Sequence, residues 1–324
     1  EEDSSPRHRR ERSTLDRGFP DRTEAARHRG RMPIRLDRGA KWCPAGVSPR
    51  PTPVHLVLER PTELPKLRVF ADDSKLYQSV RRPADPVAFQ EELNRAVQWS
   101  DEWQLTFNAS KCKVLHIGRR NCHHVYTLNG VPLEETEAER DLGVYVDADL
   151  SFKKHAASAV SKASQVMAVV RKTFQNLDKT TLPLLFKTLV RPHLEYGNLV
   201  WGPFNRSDQK LVERVQRRAT KLVPELRHLP YQSRLQTLKL PSLYYRRRRG
   251  DMIAVFQLLR GGLGLDPLDF FNTEFARNTR GHPWRLSKPR AESRVRRNAF
   301  STRVVNDWNR LPPAVVTSDT LNQF

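Results

Sequence analysis

The chain has 324 residues, about two domains' worth, and its 57 Lys and Arg against 36 Asp and Glu give a formal net charge of +21, which points to a polyanionic partner, nucleic acid first. Hydrophobic residues make up 38%, below the globular norm yet too many for a chain disordered throughout. No apolar run approaches the roughly 18 residues of a membrane span, no charged segment leads into the apolar core of a signal peptide, and Cys43, Cys112 and Cys122 cannot build a disulfide framework; we therefore expect an intracellular protein, in nucleus or cytoplasm, with no membrane partner.

Residues 1–68 differ from the rest. They hold 14 Arg but only 2 Lys, and 9 of the 23 Pro, and their apolar residues keep no period of 3.6 or 2. Such a stretch cannot bury enough surface to offset its ordering entropy, so a disordered N-terminus is expected over 1–65. Periodic segments begin near Val69. Leu67-Arg68-Val69-Phe70, the acidic turn Ala71-Asp72-Asp73 and Ser74–Tyr77 read as a β-hairpin. Asp85 followed by Pro86 starts a helix whose apolar stripe is Phe89, Leu93, Ala96, Val97 and Trp103. Lys113–Ile117 reads as a strand, Tyr126–Leu133 as a hairpin about Asn129-Gly130, and Leu142–Val146 as a further strand ending at Asp147.

After Phe152 the period becomes helical. Val160, Ala163, Met167, Val170 and Phe174 define one helix. Leu182, Leu185, Phe186, Leu189 and Val190 define a second, capped at Asp178. Leu211, Val215, Ala219 and Leu222 define a third, capped near Ser207, and a fourth spans Leu243–Leu259. From 261 onward the Gly-, Pro- and Arg-rich texture predicts a loose basic tail carrying the short apolar motif Val304–Pro312.

Adjacent carboxylates at Asp72 and Asp73, following an apolar strand, suit a hard cation such as Mg2+, although acidic pairs are also common in ordinary surface turns. Lys111 and Lys113 flank Cys112 where a loop enters a strand; such lysines either meet a phosphate or guard a sheet edge. Arg246, Arg247, Arg248 and Arg249 are consecutive on a predicted helix and so cover every face of it, with phosphate, acid or water as the choices. The spacing of Cys112, Cys122, His123 and His124 matches no common structural zinc site. Trp99 and Trp103, four apart on a helix, suit a core better than a base-stacking platform.

Taken together the motifs resemble a known family. Phe70-Ala71-Asp72-Asp73 resembles the F/Y-A-D-D box of reverse transcriptases. Trp99 through Lys113 resembles the segment of non-LTR retrotransposon polymerases that runs from tryptophan through L-x-F-N to K-C-K. Asp141–Val144 with Leu150–Phe152 and His155 resembles their primer-grip region. Leu189–Gly197 with Trp201–Pro203 resembles a thumb signature of LINE-like, Jockey and CR1-like elements, and Val304–Pro312 their C-terminal R-V-V-x-x-W-N-x-L-P. The resemblance implies an α+β fold: the C-terminal part of the palm at 66–152, with β-hairpin, helix and short strands, then an all-α thumb at 153–260 and a tail at 261–324. It implies Mg2+-dependent nucleotidyl transfer on an RNA template and DNA primer. Asp72 and Asp73 would be the metal-binding catalytic pair and Lys111 a proton donor to pyrophosphate. Lys113 and Arg246–Arg249 would contact nucleic acid; no small-molecule cofactor is implied.

The family also has an earlier metal-binding Asp and a G-V-P-Q-G-S-V-L-G-P block before the F-A-D-D hairpin, and neither is present in this frame. Reading one base forward permits the block. Trp42 followed by Cys43 then gives Gly, and residues 43–51 permit V-P-Q-G-S-V-L-G-P, with further family-like sequence permitted through Thr62. We therefore read residues 1 to about 62 as an out-of-frame translation, which also explains their Arg and Pro bias. The expected function is an inactive reverse-transcriptase remnant, its Mg2+ affinity weak or lost. The alternative is a basic nucleic-acid-binding module without chemistry.

Overall fold

The computed structural model describes residues 67–70, 73–271 and 282–324. The expectations for 1–65 and for the reading frame, and the position of Asp72, fall outside these residues. Small sheets lead and helices follow, in keeping with the α+β expectation.

Strands β1 (Leu67–Phe70) and β2 (Asp73–Leu76) pair antiparallel, with Phe70 opposite Asp73, in keeping with the expected hairpin. Leu67 is fully buried and packs with Ala96 of helix α1 (Asp85–Glu102), and Trp99 covers the pair. Asp85 does not cap this helix. Its buried carboxylate turns back and accepts the amides of Arg81 and Arg82, each at 2.8 Å, folding the approach to the helix. Trp103 lies past the last turn and is exposed, so the predicted stripe stops short of it.

Beyond α1, strand β3 is only Lys113–Val114, and it pairs parallel with β6 (Glu134–Glu135). β4 (Thr127–Leu128) and β5 (Val131–Pro132) form the expected hairpin, its turn residues Asn129 (φ 52°) and Gly130 (φ 76°) both left-handed. The segment read as one strand over Leu142–Val146 is instead a turn and a strand. β7 (Ala138–Asp141) and β8 (Val144–Asp147) are antiparallel, and Leu142 (φ 43°) and Gly143 (φ 85°) form the turn between them. Apolar content concealed the reversal, because leucine carries no turn signal of its own.

Helix α2 (Lys153–Thr173) buries Ala156, Ala159, Ala163, Met167 and Val170 along one stripe. The small residues let it pack closely on its neighbours. Helix α3 (Thr181–Leu185) starts where the Asp178 carboxylate accepts the amides of Thr180 and Thr181. It continues through a widened π turn, Phe186–Val190, into α4 (Arg191–Glu195). Pro192 has no N–H for the carbonyl of Thr188, and the helix widens at that point. α5 (Asn198–Trp201) and α6 (Arg206–Ala219) follow. Ser207 lies inside the first turn of α6; Asn205 precedes it and binds Asp208 at 3.0 Å. Short α7 (Tyr231–Thr237) leads to α8 (Leu243–Leu259), which Ser242 caps by accepting the Tyr245 amide.

Leu182, Phe186, Val190, Leu194, Trp201, Val212, Val215 and Leu243 form the centre of one core. Each fully buried side chain contributes on the order of 1.5–3 kcal/mol. A second core joins the far half of α8 to the C-terminal segment. Met252, Val255, Phe256 and Leu258 pack against Val304, Val305, Trp308 and Val316. α9 (Arg294–Asn298), α10 (Phe300–Arg303), α11 (Val305–Trp308) and α12 (Pro313–Val316) carry it. The tail expected to be loose is therefore packed along these residues, because the motif at 304–312 supplies its own apolar anchor, Trp308, which α8 covers.

Candidate functional site

One cleft of about 680 Å3 gathers elements far apart in sequence. Phe70 and Asp73 enter it from the hairpin, Arg140, Leu142 and Gly143 from the β7–β8 corner, His155, Ser158, Ala159 and Lys162 from α2, and Pro192, His193 and Tyr196 from α4 and its end. Asp73 is exposed. Lys75 of β2 pairs with Asp141 of β7, which fastens the hairpin beside the β7–β8 corner. The cleft thus holds one described acid, with two fixed cations and His193 around it.

The corner is held from several sides. Asp147 accepts the amide of Ser151 at 2.6 Å and its hydroxyl at 3.0 Å. The amide of Tyr145 donates to Nδ1 of His155 at 3.2 Å, so the ring's proton sits on Nε2, which is buried and has no hydrogen-bond partner among the described residues. Burial, then the charges of Lys162 and Arg140, hold the His155 pKa below its ordinary value. Its ring meets Trp201 edge to face at 4.7 Å, and Trp201 Nε1 donates to the carbonyl of Tyr196 at 2.6 Å.

The remaining sequence candidates lie elsewhere. Lys111 is exposed in the turn before β3, and Lys113 lies across from Glu134 at 3.5 Å; neither lines the cleft. The four arginines of α8 do not act as one patch. Arg246 holds Glu195 through two bonds of 2.5 and 2.9 Å, and Arg248 holds Asp307 through two of 2.9 and 2.5 Å. Arg247 is buried, its terminal nitrogens without a hydrogen bond among the described residues; burial lowers its pKa against the opposing pull of Glu213, Glu195 and Asp251. Only Arg249 faces solvent without a described ion-pair partner. Two of the four are thus spent on acids of α4 and α11, because successive helical residues point about 100° apart and reach different neighbours. Sequence reasoning missed Arg140 and Lys162, which no local motif marks; their significance comes from the cleft that the topology creates.

Relatives of known class share part of this chain. Its curated homologues are RNA-directed DNA polymerases of non-LTR retrotransposons. They include the probable polymerase from transposon X-element of Drosophila melanogaster, 26% identical over 163 residues (48% of this chain and 18% of the relative). The polymerases from mobile element jockey of Drosophila funebris and Drosophila melanogaster are 27% and 28% identical over 169 and 144 residues, 48% and 42% of this chain. The alignment thus spans less than a fifth of these relatives' length, 18% or 15%. No family model matches the chain, and no solved structure matches it. Among the described residues, no helix is long and apolar enough to cross a membrane.

Proposed function

We propose that this chain carries the C-terminal palm and the thumb of a retrotransposon RNA-directed DNA polymerase, and that the 324-residue chain by itself grips nucleic acid without extending a primer. The observation that carries the reading is the single cleft in which the strand of the acidic turn, the β7–β8 corner and the thumb helices converge. In this reading Asp72 and Asp73 face the reacting phosphates and bind Mg2+ weakly. The β7–β8 corner lies by the primer backbone, and Arg140 and Lys162 contact phosphates. Lys111, Lys113 and Arg249 remain outlying contacts, while Arg246 and Arg248 serve the thumb's own framework.

Synthesis is lost because phosphoryl transfer depends on positioning and on charge neutralisation by metal ions. A pair of carboxylates without the family's earlier Asp holds those ions poorly, and the block that precedes the hairpin is out of frame at 42–62. Primer extension on an RNA template with Mg2+ tests this: the chain gives no template-dependent product, and product above an Asp72→Ala control overturns it. Gel-shift titration with an RNA–DNA duplex tests the grip. Binding falls steeply with salt, and Arg140→Ala and Lys162→Ala each weaken it and lower the salt slope by about 1. Duplex binding insensitive to both substitutions removes the cleft from the interface.

A further inference from the structure

We propose a transition-metal site, best matched to Zn2+, formed by His116, His123 and Glu135. The parallel β3–β6 pairing places Glu135 opposite Val114, two residues before His116. The loop beyond then returns: the Gly118 amide donates to the Ala148 carbonyl at 3.0 Å, and Asn121 Oδ1 accepts the His123 amide at 3.2 Å. As a result one ligand atom from each of His116, His123 and Glu135 lies within 4.8 Å of the other two. Nδ1 of His123 is 2.6 Å from Oε1 of Glu135, and the two imidazole rings are 5.0 Å apart.

The His123–Glu135 pair alone is an exposed contact of little stabilising value. His116 is 6% exposed, and its ring is held by packing, stacked on Tyr126 at 6.0 Å and tilted toward His123, so a positioned imidazole stands beside the exposed pair. A cation bound by all three would join this packed imidazole to the exposed pair. Two imidazoles and one carboxylate suit Zn2+, whereas Mg2+ prefers an all-oxygen set. Bonds of about 2.0–2.2 Å place tetrahedral ligands roughly 3.4 Å apart, an adjustment that the exposed side chains of His123 and Glu135 can make by opening their 2.6 Å contact, and water takes the fourth position. The ion would cross-link the 117–125 loop to β6. It is a separate site from the cleft and does not depend on the function proposed for it.

The test titrates tag-free full-length chain with Zn2+ against a chromophoric chelator and records the visible spectrum of the Co2+-loaded form. His123→Ala and Glu135→Gln change exposed residues and preserve the fold, which circular dichroism verifies; Asp73→Asn serves as a control. We expect one Zn2+ per chain, affinity reduced at least tenfold by either ligand substitution and unchanged by Asp73→Asn, and a four-coordinate Co2+ band that the ligand substitutions abolish. Absence of binding at micromolar Zn2+, or binding by either ligand variant equal to that of the unsubstituted chain, overturns the proposal, as does an equal loss in Asp73→Asn.

Discussion

The hydroxyl of Tyr196 donates a 2.8 Å hydrogen bond to the carbonyl of Leu142, joining the end of α4 to the β7–β8 turn. The same ring closes on Gly143, where an added Cβ would stand 3.1 Å from Cε1 of Tyr196 on a backbone of φ 85°. The turn is therefore constrained both by its own backbone and by the end of α4. Gly143→Ala should cost about 1–2 kcal/mol through the left-handed conformation alone. Tyr196→Phe should cost less, about 0.5–1.5 kcal/mol, because only one hydrogen bond is lost. Urea unfolding of both variants checks the order; a Gly143→Ala midpoint equal to wild type would refute it.

Gly197 makes a stricter version of the same argument. At φ 64° its added Cβ would lie 2.8 Å from Cγ2 of Val144, a buried residue of the core. Both the conformation and the contact oppose any side chain. Gly197→Ala should be more destabilising than Gly143→Ala, where the neighbour is the edge of an exposed ring. Thermal melts of the pair decide which is worse.

Stability should fall on mild acidification. His155 has an ordinary value of 6.5, lowered in the folded chain by burial and then by Lys162 and Arg140. His282 moves the same way, chiefly through burial, against the pull of its contact with the Trp308 carbonyl. Below pH 6.5 the unfolded chain therefore binds protons that the folded chain refuses, so stability rises with pH in that window. The contribution is complete above about 6.5 and is lost as pH drops beneath it, at a limit of about 1.4 kcal/mol per pH unit for each proton. Urea midpoints at pH 7 and pH 5 should differ, and a His155→Gln, His282→Gln double variant should show a flatter profile. Equal wild-type midpoints at the two pH values would sink this account.

Arg303 of α10 holds Asp251 of α8 through bonds of 3.0 and 2.9 Å, with both side chains mostly buried. It also reaches the carbonyl of Leu199 at 3.0 Å. Asp251→Ala leaves a guanidinium without its counter-charge and should cost about 3–5 kcal/mol. Trp308→Ala, which removes the anchor of the second core, should cost a similar amount by opening a cavity. Calorimetry on the two variants tests both, and a loss under 1 kcal/mol for Trp308→Ala would mean that the tail's packing is dispensable.

Local chemistry was legible in the sequence where one interaction range governed the outcome. The hairpin about Phe70 and Asp73, the Asn129-Gly130 turn and the α2 stripe all follow from residue type and period. So does the boundary of α8, since Ser242 is a strong cap and the apolar pattern ends at Leu259. Errors arose where tertiary contacts overrode local signals. Asp85 has the residue type of a cap, but its carboxylate is used by the two amides before it. Leu142 looks like strand, but its carbonyl is wanted by Tyr196. The basic run of α8 reads as a phosphate surface until Glu195 and Asp307, respectively 51 and 59 residues away, are seen to claim two of its members. The cleft itself was partly legible. The acidic turn and the β7–β8 segment announced themselves, whereas Lys162 and Arg140 acquired meaning only through assembly.

Helix α8 is shared property: its first turn seals one core with Leu243, and its last two turns supply Met252, Val255, Phe256 and Leu258 to the other. A premature stop anywhere before Val304 would leave those four side chains facing water as a sticky stripe on an otherwise well-formed helix. The shortened product would be prone to self-association and to capture by cellular quality control. Residues 304–324 thus act as the cover that keeps the far end of α8 from water.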